Sequence, residues 1–171
     1  MSPGERAGPS ASGADHPGAP RVALCVATFY AELAERLEAG AREGLREAGV
    51  SEIDRFEAPG AFELPLLAKL AAESGRYGAV VCLGAVIRGE TDHYHWVCAE
   101  AARGIQQAQL DTGVPCGFGV LTVDDMDQAL ERVQGGRKRD SGRLAVEAAL
   151  ASLAVKRRLA ASAFARPHGA G

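Results

Sequence analysis

Short apolar runs and helix-periodic segments take turns along most of this chain, and that alternation restricts its folds more than any other feature. Val22–Ala27, residues 79–85 and residues 116–122 are apolar runs of strand length. Residues 52–57 form a weaker strand, with Ile53 and Phe56 imperfectly in phase. Residues 31–48 carry Leu33, Leu37, Ala41, Leu45 and Ala48 at helical spacing and stop at Gly49. The same reading predicts helices over 62–74, with Pro65 in the first turn, over 91–110, over 124–133 and over 143–159. Thr122-Val-Asp-Asp125 has the look of a capping box for the fourth of these five helices, and 134–142 is a polar loop. Strands alternating with helices of this length make a parallel sheet covered on both faces. Right-handed crossovers then favour an open doubly wound sheet, which binds ligands beyond the carboxyl ends of its strands. Four segments gather there: around Phe29, around 59–63, around 84–93 and around 118–122.

A chain of 171 residues with 47% hydrophobic and 24% charged residues is an ordinary soluble domain. Residues 1–20, with four prolines and four glycines, read as a disordered tail, 21–160 as the folded domain and 161–171 as a second loose tail. The net charge of −3 gives no electrostatic case for nucleic acid or an anionic membrane. No apolar run is long enough to span a bilayer, and the N-terminus lacks the apolar core of a signal peptide. Cys25, Cys82, Cys98 and Cys116 have no Cys-x-x-Cys spacing and fall mostly in apolar runs. They read as small buried hydrophobes in a reducing cytoplasm. His95 and Cys98 share a helix face, yet no second pair completes a zinc ligand set, so no metal is expected.

Where the run 79–85 gives way to a helix, Gly89-Glu90-Thr91 offers backbone N–H groups to an anion. The glycine spacing matches neither a phosphate loop nor a dinucleotide fingerprint. A helix start with an acidic first turn is the blander alternative. His93 carries an imidazole, the side chain most often used as general acid or base, whereas His95 faces the other side of the helix. Arg132 suits a phosphate, or else compensates a helix C-terminus. Phe29 stacks on a flat heterocycle or plugs the sheet end. Glu63 accepts from sugar hydroxyls or complements a helix dipole.

Three spaced motifs, Pro59-Gly-Ala-Phe-Glu63, Leu83-Gly-Ala-Val-Ile-Arg-Gly-Glu-Thr-Asp-His-Tyr94 and Gly113-Val-Pro-Cys-Gly-Phe-Gly-Val-Leu-Thr122, resemble the lumazine synthase family. The resemblance runs in order over residues 22–159. It implies a flavodoxin-like three-layer αβα sandwich around a four-stranded parallel sheet. It implies condensation of 5-amino-6-(D-ribitylamino)uracil with 3,4-dihydroxy-2-butanone 4-phosphate to 6,7-dimethyl-8-ribityllumazine, without metal or organic cofactor. His93 then matches the proton-transferring histidine. Phe29, Ala61, Phe62, Glu63, Ala85, Val86 and Ile87 match the ribitylaminouracil site, joined by Phe118 from a neighbouring subunit. Glu90, Thr91 and Arg132 match the butanone phosphate site.

The resemblance also implies a homopentamer with sites at subunit interfaces. Some members stack twelve pentamers into a 60-subunit shell, and riboflavin synthase is the functional partner. The chain departs from the family at 134–142: Ser141 stands where many members have a lysine, and Arg143 and Leu144 stand where an acidic residue follows. A shell- or pentamer-forming homologue without activity and another flavodoxin-like phosphate or flavin binder are the competing readings. The segment Ala27-Thr-Phe-Tyr30 is too short and apolar for a flavodoxin phosphate loop.

Overall fold

The computed structural model describes residues 18–164. Most of both expected tails therefore lies outside the described residues. The elements run β1 (Val22–Ala27), α1 (Ala31–Glu47), β2 (Ile53–Ala58), a 3-10 turn (Ala61–Glu63), α2 (Leu64–Glu73), β3 (Ala79–Ile87), α3 (His93–Thr112), β4 (Cys116–Val123), α4 (Met126–Leu130) and α5 (Ser141–Phe164). All four strands are parallel, in the order β2-β1-β3-β4. The chain builds outward from β1 to β2, then crosses back to place β3 on the other side. The switch point, where such sheets open a crevice, lies between β1 and β3.

Residue size decides how the layers sit. In β1, Val22, Leu24 and Val26 face α1 and α5, while Ala23, Cys25 and Ala27 face α2 and α3. The larger side chains meet Leu33, Leu37 and Leu45 of α1, all essentially inaccessible. Truncating one such leucine to alanine typically costs about 2–5 kcal/mol. On the other face α2 and α3 contribute Ala68, Ala71, Ala72, Ala101 and Ala108, so they approach the sheet closely. Within that layer a Cβ on Gly104 would lie 2.7 Å from Pro65, so bare backbone is what lets α3 pack on α2. Gly113 ends α3 at φ 68°, the left-handed conformation that glycine adopts without a Cβ penalty.

At the amino ends of the strands, Arg21 reaches Asp54 through two hydrogen bonds of 3.0 and 3.2 Å. The hydroxyl of buried Tyr77 donates to the same carboxylate at 2.7 Å. Tyr77 and Arg21 together hold the Asp54 carboxyl below its ordinary range.

Several boundaries differ from the sequence expectation. β3 runs to Ile87, because β4 pairs with it as far as Val123. α3 opens at His93 instead of residue 91. The helix expected over 124–133 shrinks to α4, and its cap is Asp125, which accepts from the Gln128 N–H at 2.8 Å. Thr122 stays in β4. α5 begins at Ser141, capped by Asp140 on the N–H groups of Gly142 (2.9 Å) and Arg143 (3.2 Å), and extends to Phe164. Residues 161–164, expected in the tail, are therefore helical.

The start of α5 lies directly on α1, where a Cβ on Gly142 would stand 2.1 Å from the Leu37 carbonyl oxygen. Gly142→Ala should lower unfolding stability by about 1–3 kcal/mol through overpacking. A urea melt would show an earlier midpoint with an unchanged slope; an unchanged midpoint would mean that α5 accommodates the methyl.

Candidate active site

The crevice at the switch point is a cleft of about 490 Å³. Phe29 and Tyr30 leave the end of β1 to form one wall, and Pro59, Gly60 and the 3-10 turn form a second. Ala85, Val86 and Ile87 of β3 make the floor, and Gly89, Thr91, His93, Tyr94 and Val97 close the far side. A volume of this size suits a small organic molecule.

The floor has a particular backbone property. β1 pairs with β3 only up to Val26 and Leu83, whereas β4 stays paired through Ile87 and Val123. Residues 84–87 therefore have ladder partners on one side only. Ala85, Val86 and Ile87 of this overhang line the cleft, and buried amide groups require partners. Gly84 keeps the base of the overhang narrow, since a Cβ there would stand 3.0 Å from Ala27 and 3.4 Å from Leu64.

The side chains divide by chemistry. Phe29 is 73% exposed and meets Tyr30 edge-on at 4.9 Å, which leaves its face open for stacking. Phe62 is also largely exposed at the rim. The Glu63 carboxylate turns back to accept the Gly60 N–H at 3.1 Å, which fixes it beside the cleft. His93, the first residue of α3, lies at the mouth, and its N–H reaches the Thr91 hydroxyl at 3.4 Å. Val97, four residues on from His93, shares its helix face and lines the cleft as well. Tyr30 and Val97 were not singled out from sequence, although the i, i+4 spacing from His93 marks Val97.

Other expected residues lie elsewhere. Glu90 is exposed and does not line the cleft, though its neighbours Gly89 and Thr91 do. Arg132 follows α4, next to Val133 in the layer of α1 and α5, and donates to the Gln128 carbonyl at 2.8 Å. Within this one chain Arg132 thus compensates a helix C-terminus. Phe118 is on the edge strand β4, half exposed, in a groove formed with Gln109 of α3 and Leu144 and Ser152 of α5. The chain does not bring Phe118 or Arg132 into its own cleft. Ser141 opens α5, while Lys138 and Arg139 are exposed on the preceding loop. Among the described residues no lysine or arginine lines the cleft.

The cysteines take no part. Cys25, Cys82 and Cys116 are buried, and Cys98 is half-buried on α3. Cys25 and Cys82 are register partners on adjacent strands. The neighbouring Cys25 thiol and burial hold Cys82 well above the usual thiol range. Burial pushes Cys116 up to about 12 and raises Cys98 too. Among the described residues no cluster of three metal-ligating side chains occurs.

An open parallel sheet in flavodoxin-like order, with a cleft at the carboxyl ends of its strands, defines an α/β protein with a small-molecule cleft at its switch point. A family model described as 6,7-dimethyl-8-ribityllumazine synthase matches residues 19–157. Three relatives bearing that name are similar over most of the chain. The protein of Kineococcus radiotolerans is 48% identical over 141 residues, 82% of this chain and 87% of the relative. That of Chlorobium phaeovibrioides is 47% identical over 132 residues, 74% and 85% of the two chains. That of Desulfatibacillum aliphaticivorans is 46% identical over 114 residues, 66% and 74%. The chain belongs to the 6,7-dimethyl-8-ribityllumazine synthase family.

Thiol chemistry tests the burial. At about pH 8 the native protein should leave Cys25, Cys82 and Cys116 untouched by an aromatic disulfide reagent, while the denatured chain reacts at all four thiols. Rapid native reaction at more than one thiol would contradict the closed sheet.

Proposed function

We infer that the cleft condenses 5-amino-6-(D-ribitylamino)uracil with 3,4-dihydroxy-2-butanone 4-phosphate, giving 6,7-dimethyl-8-ribityllumazine, phosphate and water. This is the transferase reaction of the riboflavin route that the family carries out. The observation that carries the site assignment is the one-sided overhang of residues 84–87, whose free N–H and C=O groups suit the alternating donors and acceptors of a uracil edge. Phe29 stacks on the pyrimidine ring. Ala61, Phe62 and Glu63 hold the ribityl chain, with the Glu63 carboxylate accepting from its hydroxyls. Backbone at Glu90 and Thr91 meets the phosphate of the second substrate.

The chemistry needs little from the protein beyond placement. The 5-amino group adds to the butanone carbonyl, the carbinolamine loses water to an imine, phosphate leaves, and the ribitylamino nitrogen closes the ring with loss of a second water. Holding the amine against the ketone supplies much of the rate. His93, at the mouth between the heterocycle and phosphate ends, moves protons between nitrogen and oxygen in these steps.

Among the described residues the cleft contains no cation for the phosphate, which supports completion by a second copy of the chain. Phe118 and Arg132 are the residues offered to a neighbour, Phe118 to the ring and Arg132 to the phosphate. Exposed Phe62, Leu66, Leu70, Trp96, Leu110 and Phe118 supply apolar surface for such contacts. The assembly we propose is a homopentamer, with the altered loop 134–142 bearing on whether twelve pentamers close into a 60-subunit shell. Riboflavin synthase, which consumes the product, is its functional partner, and the cytoplasm its compartment. Among the described residues no helix is long and apolar enough to cross a membrane. An inactive pentamer is the weaker reading, because the overhang, Phe29, Glu63 and His93 are all present at one cleft.

Formation of fluorescent lumazine from the two substrates tests the reaction. In steady-state kinetics Arg132→Ala should lower kcat/KM for the butanone phosphate by about tenfold or more, the weight of a charge-assisted contact. An unchanged KM for that substrate would remove Arg132 from the site. His93→Ala should lower kcat and flatten its pH dependence near neutrality, yet keep a substantial residual rate because placement survives. Mass photometry should find particles of five chains or multiples of five; a monomer that is fully active would refute the shared site.

A further inference from the structure

We propose that Arg88 is a positioning residue: it ties the first turn of α3, and with it His93, to the carboxyl ends of β3 and β4. The inference rests on the reading of His93 as the proton-transferring residue. Arg88 is the first residue beyond β3, and its N–H donates to the Val123 carbonyl at 2.9 Å. Its side chain turns away from the cleft. Nε meets the Asp124 carboxylate at 2.8 Å, and the guanidinium carbon lies 4.3 Å from the centre of the Tyr94 ring. One terminal nitrogen approaches His95 Nε2 at 3.4 Å. Asp124 is itself anchored, since its N–H donates to the Gln128 side chain at 2.9 Å. The ion pair draws Asp124 below and Arg88 above their ordinary pKa ranges. One side chain thus contacts the residue that follows β4 and the two residues that directly follow His93.

The segment between Arg88 and His93 has little else to hold it. A Cβ on Gly89 would find no atom within 4 Å, and Glu90, Thr91 and Asp92 are exposed. The helix start has no side-chain cap from Asp92. The segment proposed to meet the phosphate is therefore positioned from its two ends, and Arg88 grips both. Arg88 does not line the cleft, so it acts on the reaction only through α3. An exposed ion pair adds little to global stability. A displacement of the reacting groups by an ångström, in contrast, costs a large factor in rate. The two effects should separate in the variants.

The test uses the full chain with Arg88→Met, Arg88→Lys and Asp124→Asn, and with His93→Ala in parallel. Arg88→Met should lower kcat by about tenfold while KM for ribitylaminouracil stays within about twofold. The pH limb of kcat that His93→Ala abolishes should be displaced in Arg88→Met and Asp124→Asn. Arg88→Lys, which keeps the charge but loses the planar stack, should recover part of the rate. If Arg88→Met does not fold, Asp124→Asn carries the same comparison. Unchanged kcat and pH profile in folded Arg88→Met or Asp124→Asn overturn the proposal, as does a lowered melting temperature with normal kcat in the folded fraction. A His93→Ala enzyme with the parent's rate and pH profile would instead refute the role of His93.

Discussion

The ladder between β1 and β3 stops at Val26 and Leu83, while β3 continues beside β4 to Ile87. That mismatch of strand lengths is the constraint on which the site depends. It arises where the strand order reverses: β1 turns off into α1, and the Thr28 N–H pairs toward β2, with the Ala58 carbonyl at 3.0 Å. β3 keeps its extended course because β4 satisfies one edge of it. The other edge is left with unpaired backbone at the bottom of an apolar cleft. Amide groups in such a place need water or a ligand. A planar molecule with alternating donors and acceptors answers that need better than a flexible one.

Packing brings the remaining groups to this overhang. The α2 and α3 side of the sheet is rich in alanine and cysteine, and the helices packed on it in alanine, so those helices approach closely. Their amino-terminal ends, carrying Glu63 and His93, consequently reach the strand ends instead of standing off from them. The heavier Val and Leu face supports α1 and α5, where bare backbone at Gly142 allows close contact with Leu37. One layer therefore carries chemistry and the other carries mass.

Charge follows the same division. Among the described residues the cleft has carboxylate and imidazole groups but no guanidinium or ammonium group. A run of cationic residues lies on the opposite layer, from Arg132 to Arg143 at the start of α5, where Arg137 pairs with Glu131 and Arg143 with Glu47. A reaction that releases phosphate from a site without cations calls for one from outside the chain. An apolar surface with Phe118 on the sheet edge supplies a place for a second copy to dock. Activity and assembly become one property under this reading.

How much of this the residues announce depends on how far their effects reach. β1 was legible to the residue because six consecutive residues without a charge, buried on both faces, have few alternatives. The order of elements and the motifs around Gly60, Arg88 and Gly117 were equally legible, since periodicity and turn chemistry are local. The end of β3 was not, because extension of residues 86 and 87 depends on a partner strand some thirty-five residues away in sequence. The true cap of α4 was missed because Thr122 and Asp125 both suit a helix start, and pairing of Thr122 in β4 decides between them. Residue types name His93, Phe29, Glu63 and Arg132 together, and the resemblance adds Phe118 from a neighbouring subunit; only the layers set Arg132 apart from the cleft. Sequence alone determined the kinds of groups available and the order of the elements, because those follow from side-chain chemistry and local periodicity. Tertiary structure decided which groups share a cavity, because strand order and helix layering are set by contacts between residues distant along the chain.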